Sequence, residues 1–218
     1  MDVSNPALLE REKVRDVYNI IAPHFDRTRQ YLWKSVKEFV QQIPKHAFVA
    51  EMGCGNGKNL IPLLKKSCYS VGIDFSIQFA KICQKQNLET LVGDNLCIPF
   101  RSESVDYVLS IAVLHHFSTH ERRLHALQEL LRILKVGGKM LIQVWALKQP
   151  PDAKQQFTTQ DNLVRFQSPD KKMLEMRFYH VFADTELLDL LQESGVELSI
   201  DNYFWEVGNW VAVVTKLK

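Results

Sequence analysis

The residues best placed to do chemistry are Glu51-Met52-Gly53-Cys54-Gly55-Asn56-Gly57, three glycines in a row of alternate positions with an acid two residues ahead of the first. The segment follows a short apolar run, Phe48-Val49-Ala50-Glu51-Met52, and precedes a predicted helix. In that setting a glycine turn lets a ligand approach backbone amides. A dinucleotide site spaces its glycines G-x-G-x-x-G so that a pyrophosphate rests on the helix N-terminus. Here the third glycine, Gly57, comes one residue early, and Glu51 would repel a phosphate. Asp74 closes the next apolar run and Asp94 the one after it, so three carboxylates sit at three successive strand ends. Such ends face the crevice where open α/β sheets bind ligands. S-adenosylmethionine suits this set, because it carries an ammonium and a sulfonium and no phosphate. Glu51 is then expected near the amino acid moiety, Asp74 on the ribose hydroxyls and Asp94 on the adenine amino group. Each acid taken singly could equally cap a helix or turn; the combination with the glycines is what points to a ligand.

The elements that must position these groups alternate. Strands are predicted at 48–52, 70–74, 89–92, 107–111 and 139–144, with helices from Ser76 to Cys83 and from Thr119 to Leu134, the latter stopped by Gly137-Gly138. This alternation predicts a doubly wound, mostly parallel α/β sheet of seven strands, Rossmann-like. The last two strands, 196–203 and 209–215, supply the antiparallel closure after a helix at 184–195. Ahead of the sheet, helical spacing runs from Pro6 to Ile21, is expected to end at Pro23, and resumes around Trp33, Val36, Phe39 and Val40. Residues 1–45 therefore form an N-terminal helical substrate or cap segment. Residues 147–178 are polar and weakly periodic, and read as a loop or cap over the site. The 218 residues suit a single domain, at 46% hydrophobic and 24% charged. A net charge of +2 is too small to announce a nucleic-acid binder on its own. No basic n-region followed by an apolar run opens the chain, and no stretch approaches a membrane span. The four cysteines lack a C-x-x-C pair, so reduced thiols in the cytoplasm or nucleus are expected, with neither disulfides nor a metal site.

With Glu51 to Gly57, Asp74, Asp94 and Ile98-Pro99-Phe100, the chain resembles the class I S-adenosylmethionine-dependent methyltransferases. More narrowly it resembles the eukaryotic tRNA wobble-uridine carboxyl methyltransferases, which esterify 5-carboxymethyluridine at anticodon position 34. That likeness is carried by Tyr18-Asn19-Ile20-Ile21-Ala22-Pro23-His24-Phe25 with Thr28-Arg29, by Ser110-Ile111-Ala112-Val113-Leu114-His115-His116-Phe117 and by Glu121-Arg122-Arg123. Val144-Trp145-Ala146, Phe178-Tyr179-His180-Val181-Phe182 and Gly208-Asn209-Trp210 complete it. The stretch between Trp145 and Tyr179 looks short for the family. The resemblance implies a cofactor pocket of Glu51, Gly53, Gly55, Gly57, Asp74, Phe75, Asp94, Asn95, Leu96 and Ile111. It also implies a small zinc-binding activator subunit, added as a strand at 89–92, where an uncovered apolar edge invites pairing.

Methyl transfer to a carboxylate needs no general base, because the ionised group is already the nucleophile. It needs an anchor, and Arg29 is the expected one, since a guanidinium grips a carboxylate with two prongs. His115, His116, His180 and Asn209 are the expected polar lining, with Trp145, Tyr179 and Trp210 as walls. Neighbouring side chains diverge, so one of His115 and His116 is expected to be structural. The plainer alternative for Arg29 is a surface charge, and for Trp145 and Trp210 it is core packing. Seven Lys/Arg against three Asp/Glu between Arg11 and Lys37, and six against four between Leu147 and Phe178, would steer a polyanion to the mouth. The expected partners are thus tRNA and the activator, with neither DNA nor a membrane. Two other readings compete: a methyltransferase of a small metabolite carboxylate or hydroxyl, which would want an apolar cap, and a non-catalytic scaffold, which would have lost its cofactor acids.

Overall fold

Five strands with continuous apolar faces build the centre of the molecule. In the computed structural model, which describes residues 5–168 and 172–218, these are β1 (Phe48–Met52), β2 (Tyr69–Asp74), β3 (Thr90–Val92), β4 (Val105–Ile111) and β5 (Leu134–Trp145). All pair in parallel, β1 lying between β2 and β4. The chain then adds β6 (Asp161–Gln167), β7 (Leu174–His180), β8 (Leu198–Glu206) and β9 (Asn209–Lys216). The seven-stranded sheet runs β3-β2-β1-β4-β5-β9-β8. β9 is antiparallel to both β5 and β8, which makes it the closing strand. Parallel strands are covered on both faces. One face buries Met52, Ile73, Val108 and Ile142 under α6 (His120–Ile133) and α7 (Glu186–Glu193). The other buries Val49, Leu109 and Leu141 under α3 (Lys34–Gln42), with Leu60 and Leu63 of α4 (Leu60–Lys65) and Cys83 of α5 (Ile77–Lys85).

Three local expectations are corrected. Pro23 does not end the first helix. The chain runs through α1 (Pro6–Glu10) and a π-helical turn (Arg11–Arg15) into α2 (Asp16–Thr28), with Pro23 inside. One missing backbone donor is outweighed by burying Val17, Ile21 and Ala22. Gly137-Gly138 does not stop α6, which ends at Ile133; both glycines lie within β5. Residues 147–178 are no simple loop, because β6 and β7 form a separate antiparallel hairpin there, from Asp161↔His180 to Gln167↔Leu174. Residues 169–171 of that expected cap, and Met1–Ser4 of the expected leaderless start, lie outside the described residues. Among the described residues, no helix is long and apolar enough to cross a membrane.

Candidate active site

The pocket opens where the strand order reverses, at the C-terminal ends of β1, β2 and β4. Gly53 makes the turn out of β1 with φ 73°, and its amide donates to the Ile73 carbonyl at 2.7 Å. A Cβ there would sit 2.3 Å from Val113, so only glycine fits. Glu51 is 1% exposed. Its Oε1 accepts from Asn59 Nδ2 at 2.5 Å, while Oε2 is buried with no partner among the described residues. Burial pushes its carboxyl up to about 8 against the pull of Asn59. Asp74 accepts from the Gly55 and Ser76 amides, both at 2.8 Å, and burial raises it to about 6. Asp94 accepts the Leu96 amide at 2.9 Å and lines the same wall as Asn95, Phe75 and Ile111. An orphaned, buried carboxylate oxygen is a ready acceptor for an ammonium, and each Asp74 oxygen keeps a lone pair for a hydroxyl. The donor set therefore fits S-adenosylmethionine.

Beyond the glycine loop the pocket changes character. Tyr18, Phe25, Arg29, Trp33, His116, Trp145, Arg177 and Tyr179 form that end. Tyr18 and Arg29 come from α2 and its C-cap, and Arg177 and Tyr179 from alternate positions of β7. Arg29 is exposed at the mouth, its guanidinium 5.7 Å from the Phe25 ring centre. Arg177 is 7% exposed, and one of its nitrogens, Nη1, donates to Tyr179 Oη at 2.9 Å. His116 is buried, with Nδ1 2.8 Å from the Phe178 carbonyl and Nε2 3.0 Å from Tyr18 Oη. A carbonyl only accepts, so Nδ1 carries the proton and Nε2 is the acceptor. Burial holds the ring neutral, down to about 3.

The expected residues divide accordingly. Arg29, His116, Trp145, Glu51, Gly53, Gly55, Asp74, Phe75, Asp94, Asn95 and Ile111 meet in the pocket; His115, His180, Asn209, Gly57 and Leu96 do not line it. His115 is fully buried behind His116, where its Nδ1 accepts the Trp145 amide at 3.1 Å and its ring stacks on Tyr179. His180 follows Tyr179 on the strand and so points to the opposite face, held between Asp161 and Glu186 at 2.6 Å each. Asn209 donates to the Glu206 and Val207 carbonyls and closes the β8–β9 turn. Gly57 packs against Cys83 and Leu88, and Leu96 against the core. Trp210 packs on Tyr203 as core. Sequence reasoning missed Lys58, Asn59 and above all Arg177. The signal for Arg177 was its spacing two residues from Tyr179 in a period-2 segment.

Residues 50–142 match a methyltransferase domain model. The chain is 35% identical to the tRNA (carboxymethyluridine(34)-5-O)-methyltransferase of Schizosaccharomyces pombe, over 95% of this chain and 97% of that one. The chain belongs to the tRNA (carboxymethyluridine(34)-5-O)-methyltransferase family. A similarly named protein of Xenopus tropicalis is 34% identical over 96% of this chain, and the chain spans 41% of its length. The mouse relative is 48% identical over 65% of this chain, and 21% of its own length is covered. Among solved structures, a methyltransferase from Methanosarcina mazei superposes with a TM-score of 0.67 at 18% identity, covering 85% of this chain and 98% of that one. A putative Haloferax volcanii methyltransferase, solved in complex with the Trm112 methyltransferase activator, superposes at 0.66 and 19%, covering 94% and 100%. These two support the fold. Membership of the family and the acidic cradle make this an S-adenosylmethionine-dependent methyltransferase domain.

Proposed function

We propose that the protein transfers a methyl group from S-adenosylmethionine to the carboxylate of 5-carboxymethyluridine at position 34 of tRNA, forming the methyl ester. The observation that carries this reading is the pocket's polarity. Glu51, Asp74 and Asp94 line the cofactor end, Arg29 and Arg177 line the other, and the His116 imidazole at that other end is held neutral with its lone pair already engaged. That arrangement suits a nucleophile that arrives ionised. Bound cofactor would supply an electrophilic methyl on its sulfonium. Glu51 and Asp74 would hold its ammonium and ribose, and the walls of Trp145 and Tyr179 would exclude water and confine the uracil. This chain's part would be to hold the carboxylate oxygen in line with that methyl, with no proton to remove. Positioning of this kind contributes on the order of 7–11 kcal/mol in favourable systems.

The reading extends to one domain over 1–218, with 1–45 and 147–178 covering the site, acting in the cytoplasm or nucleus. Arg29, Arg15 and Lys58 at the mouth would meet tRNA phosphates. β3 ends the sheet with Leu91 43% and Val92 52% exposed, a free edge suited to a small zinc-binding activator subunit. The test is mass spectrometry of nucleosides from carboxymethylated tRNA incubated with methyl-labelled cofactor, the chain and the activator. The expected label sits on the wobble uridine side chain and is released by mild alkali, as an ester must be. Label elsewhere, or stable to alkali, would refute the proposal.

A further inference from the structure

We propose that Arg177, rather than Arg29, receives the substrate's carboxylate and gives the pocket its preference for an anion; this rests on the methyl-ester reading above. Arg177 is nearly buried and lines the pocket, yet no carboxylate among the described residues pairs with it. A buried cation without a counter-ion is costly, so its partner must come with a ligand. The bonds around it leave room for one. Nη1 donates to Tyr179 Oη at 2.9 Å and reaches Tyr18 Oη at 3.4 Å, Nε is buried without a partner, and Nη2 has no bond among the described residues. The rings of Tyr18, Tyr179 and Phe166 surround the guanidinium at 5.8, 5.1 and 5.6 Å from their centres, fixing its plane.

The neighbouring hydroxyls are not free to do the same work. The Phe178 carbonyl fixes His116 with its proton on Nδ1, so Tyr18 donates its proton to Nε2. The Tyr18 oxygen, 3.1 Å from Tyr179 Oη, then accepts from Tyr179, whose own oxygen accepts from Arg177. Every proton in this chain is committed, running from the Phe178 carbonyl through His116 and both phenols to the guanidinium. The chain's role is to hold Arg177 in place. Arg29, by contrast, is exposed and spends its one bond on the Thr28 carbonyl at 3.4 Å.

Binding of two nucleosides to the full chain loaded with S-adenosylhomocysteine tests this without any turnover. One is 5-carboxymethyluridine and the other its neutral amide, 5-carbamoylmethyluridine, of nearly equal size. Wild type should hold the acid at least tenfold more tightly than the amide. Arg177→Met should bring the ratio near one, Arg177→Lys should keep part of it, and Arg29→Ala should leave it unchanged. Affinity for S-adenosylhomocysteine should stay within twofold in all three. Equal affinity of wild type for acid and amide overturns the inference with no variant needed, as does a full preference in Arg177→Met. A variant that loses S-adenosylhomocysteine binding has misfolded, and the wild-type ratio with Arg177→Lys then decides. Failure of wild type to methylate tRNA would remove the proposed activity, while the acid-to-amide ratio still judges Arg177 by itself.

Discussion

Cofactor binding should release protons, and the amount follows from Glu51. With burial lifting its carboxyl to about 8, roughly 0.9 of the empty molecules carry a proton there at pH 7. The ammonium of the cofactor needs the ionised form opposite it, so that proton must leave. The cofactor's own amino group, with an ordinary value near 8, takes up about 0.1 to become fully charged. The expected net release is about 0.8 proton at pH 7, and affinity should tighten between pH 6 and pH 7 by nearly tenfold, about 1.4 kcal/mol. The linkage also has a sign for the empty fold. A carboxyl raised above its ordinary value near 4.5 loses stability progressively as pH rises from there through about 8. Isothermal titration in buffers of different ionisation enthalpy reads the proton count directly. Glu51→Gln should abolish the release. A wild-type count near zero at pH 7, with binding flat from pH 6 to 8, would refute the reasoning, since Glu51 would then be ionised before the cofactor arrives.

Three further outcomes are expected. Asp74→Ala should weaken cofactor binding by about 2–4 kcal/mol in calorimetry, because hydrogen bonds to a charged group contribute roughly 1.5–3 kcal/mol each; near-wild-type affinity would remove the ribose assignment. Glu10 is 6% exposed and accepts from the Ser118 amide and hydroxyl and from Arg122. Glu10→Ala should therefore cost about 2–4 kcal/mol in urea unfolding by stranding those donors, whereas a loss below about 0.5 would show a dispensable tie between α1 and α6. Arg29→Ala should lower the salt dependence of tRNA binding by a slope of about 1 while leaving cofactor affinity unchanged; an unaltered slope would place Arg29 off the tRNA path.

The cofactor half was legible because its signals are local. A parallel strand buried on both faces reads as a continuous apolar run, so β1, β2 and β4 were legible from sequence, and the three acids picked out at the strand ends line one pocket. The substrate half was obscured by what tertiary packing decides. β6 and β7 are polar and only weakly periodic, with Leu163-Val164 and Phe178-Tyr179 breaking the alternation, so Asp161–Gln167 and Leu174–His180 looked like a solvated cap until paired with each other. Arg177 reads as a surface charge in such a segment; the phenols that surround it come from α2 and from its own strand. His180 and Tyr179 stand together in one motif, but a strand sends neighbours to opposite faces, and only the hairpin pairing shows which one meets the pocket. Pro23 misled for a related reason: a helix breaker is overruled where the helix face beside it is buried.

The claim at the centre is that the acceptor is a carboxylate and that the pocket provides no base. Single-turnover methylation of carboxymethylated tRNA at saturating cofactor, followed from pH 5.5 to 8, tests it most directly. A substrate carboxyl with a value near 4 is already ionised across that range, and His116, neutral down to about 3, has nothing to titrate. The predicted rate constant is flat throughout. A rate that climbs tenfold per unit through neutrality would show a proton being removed in the slow step, and would contradict a carboxylate acceptor in a base-free site.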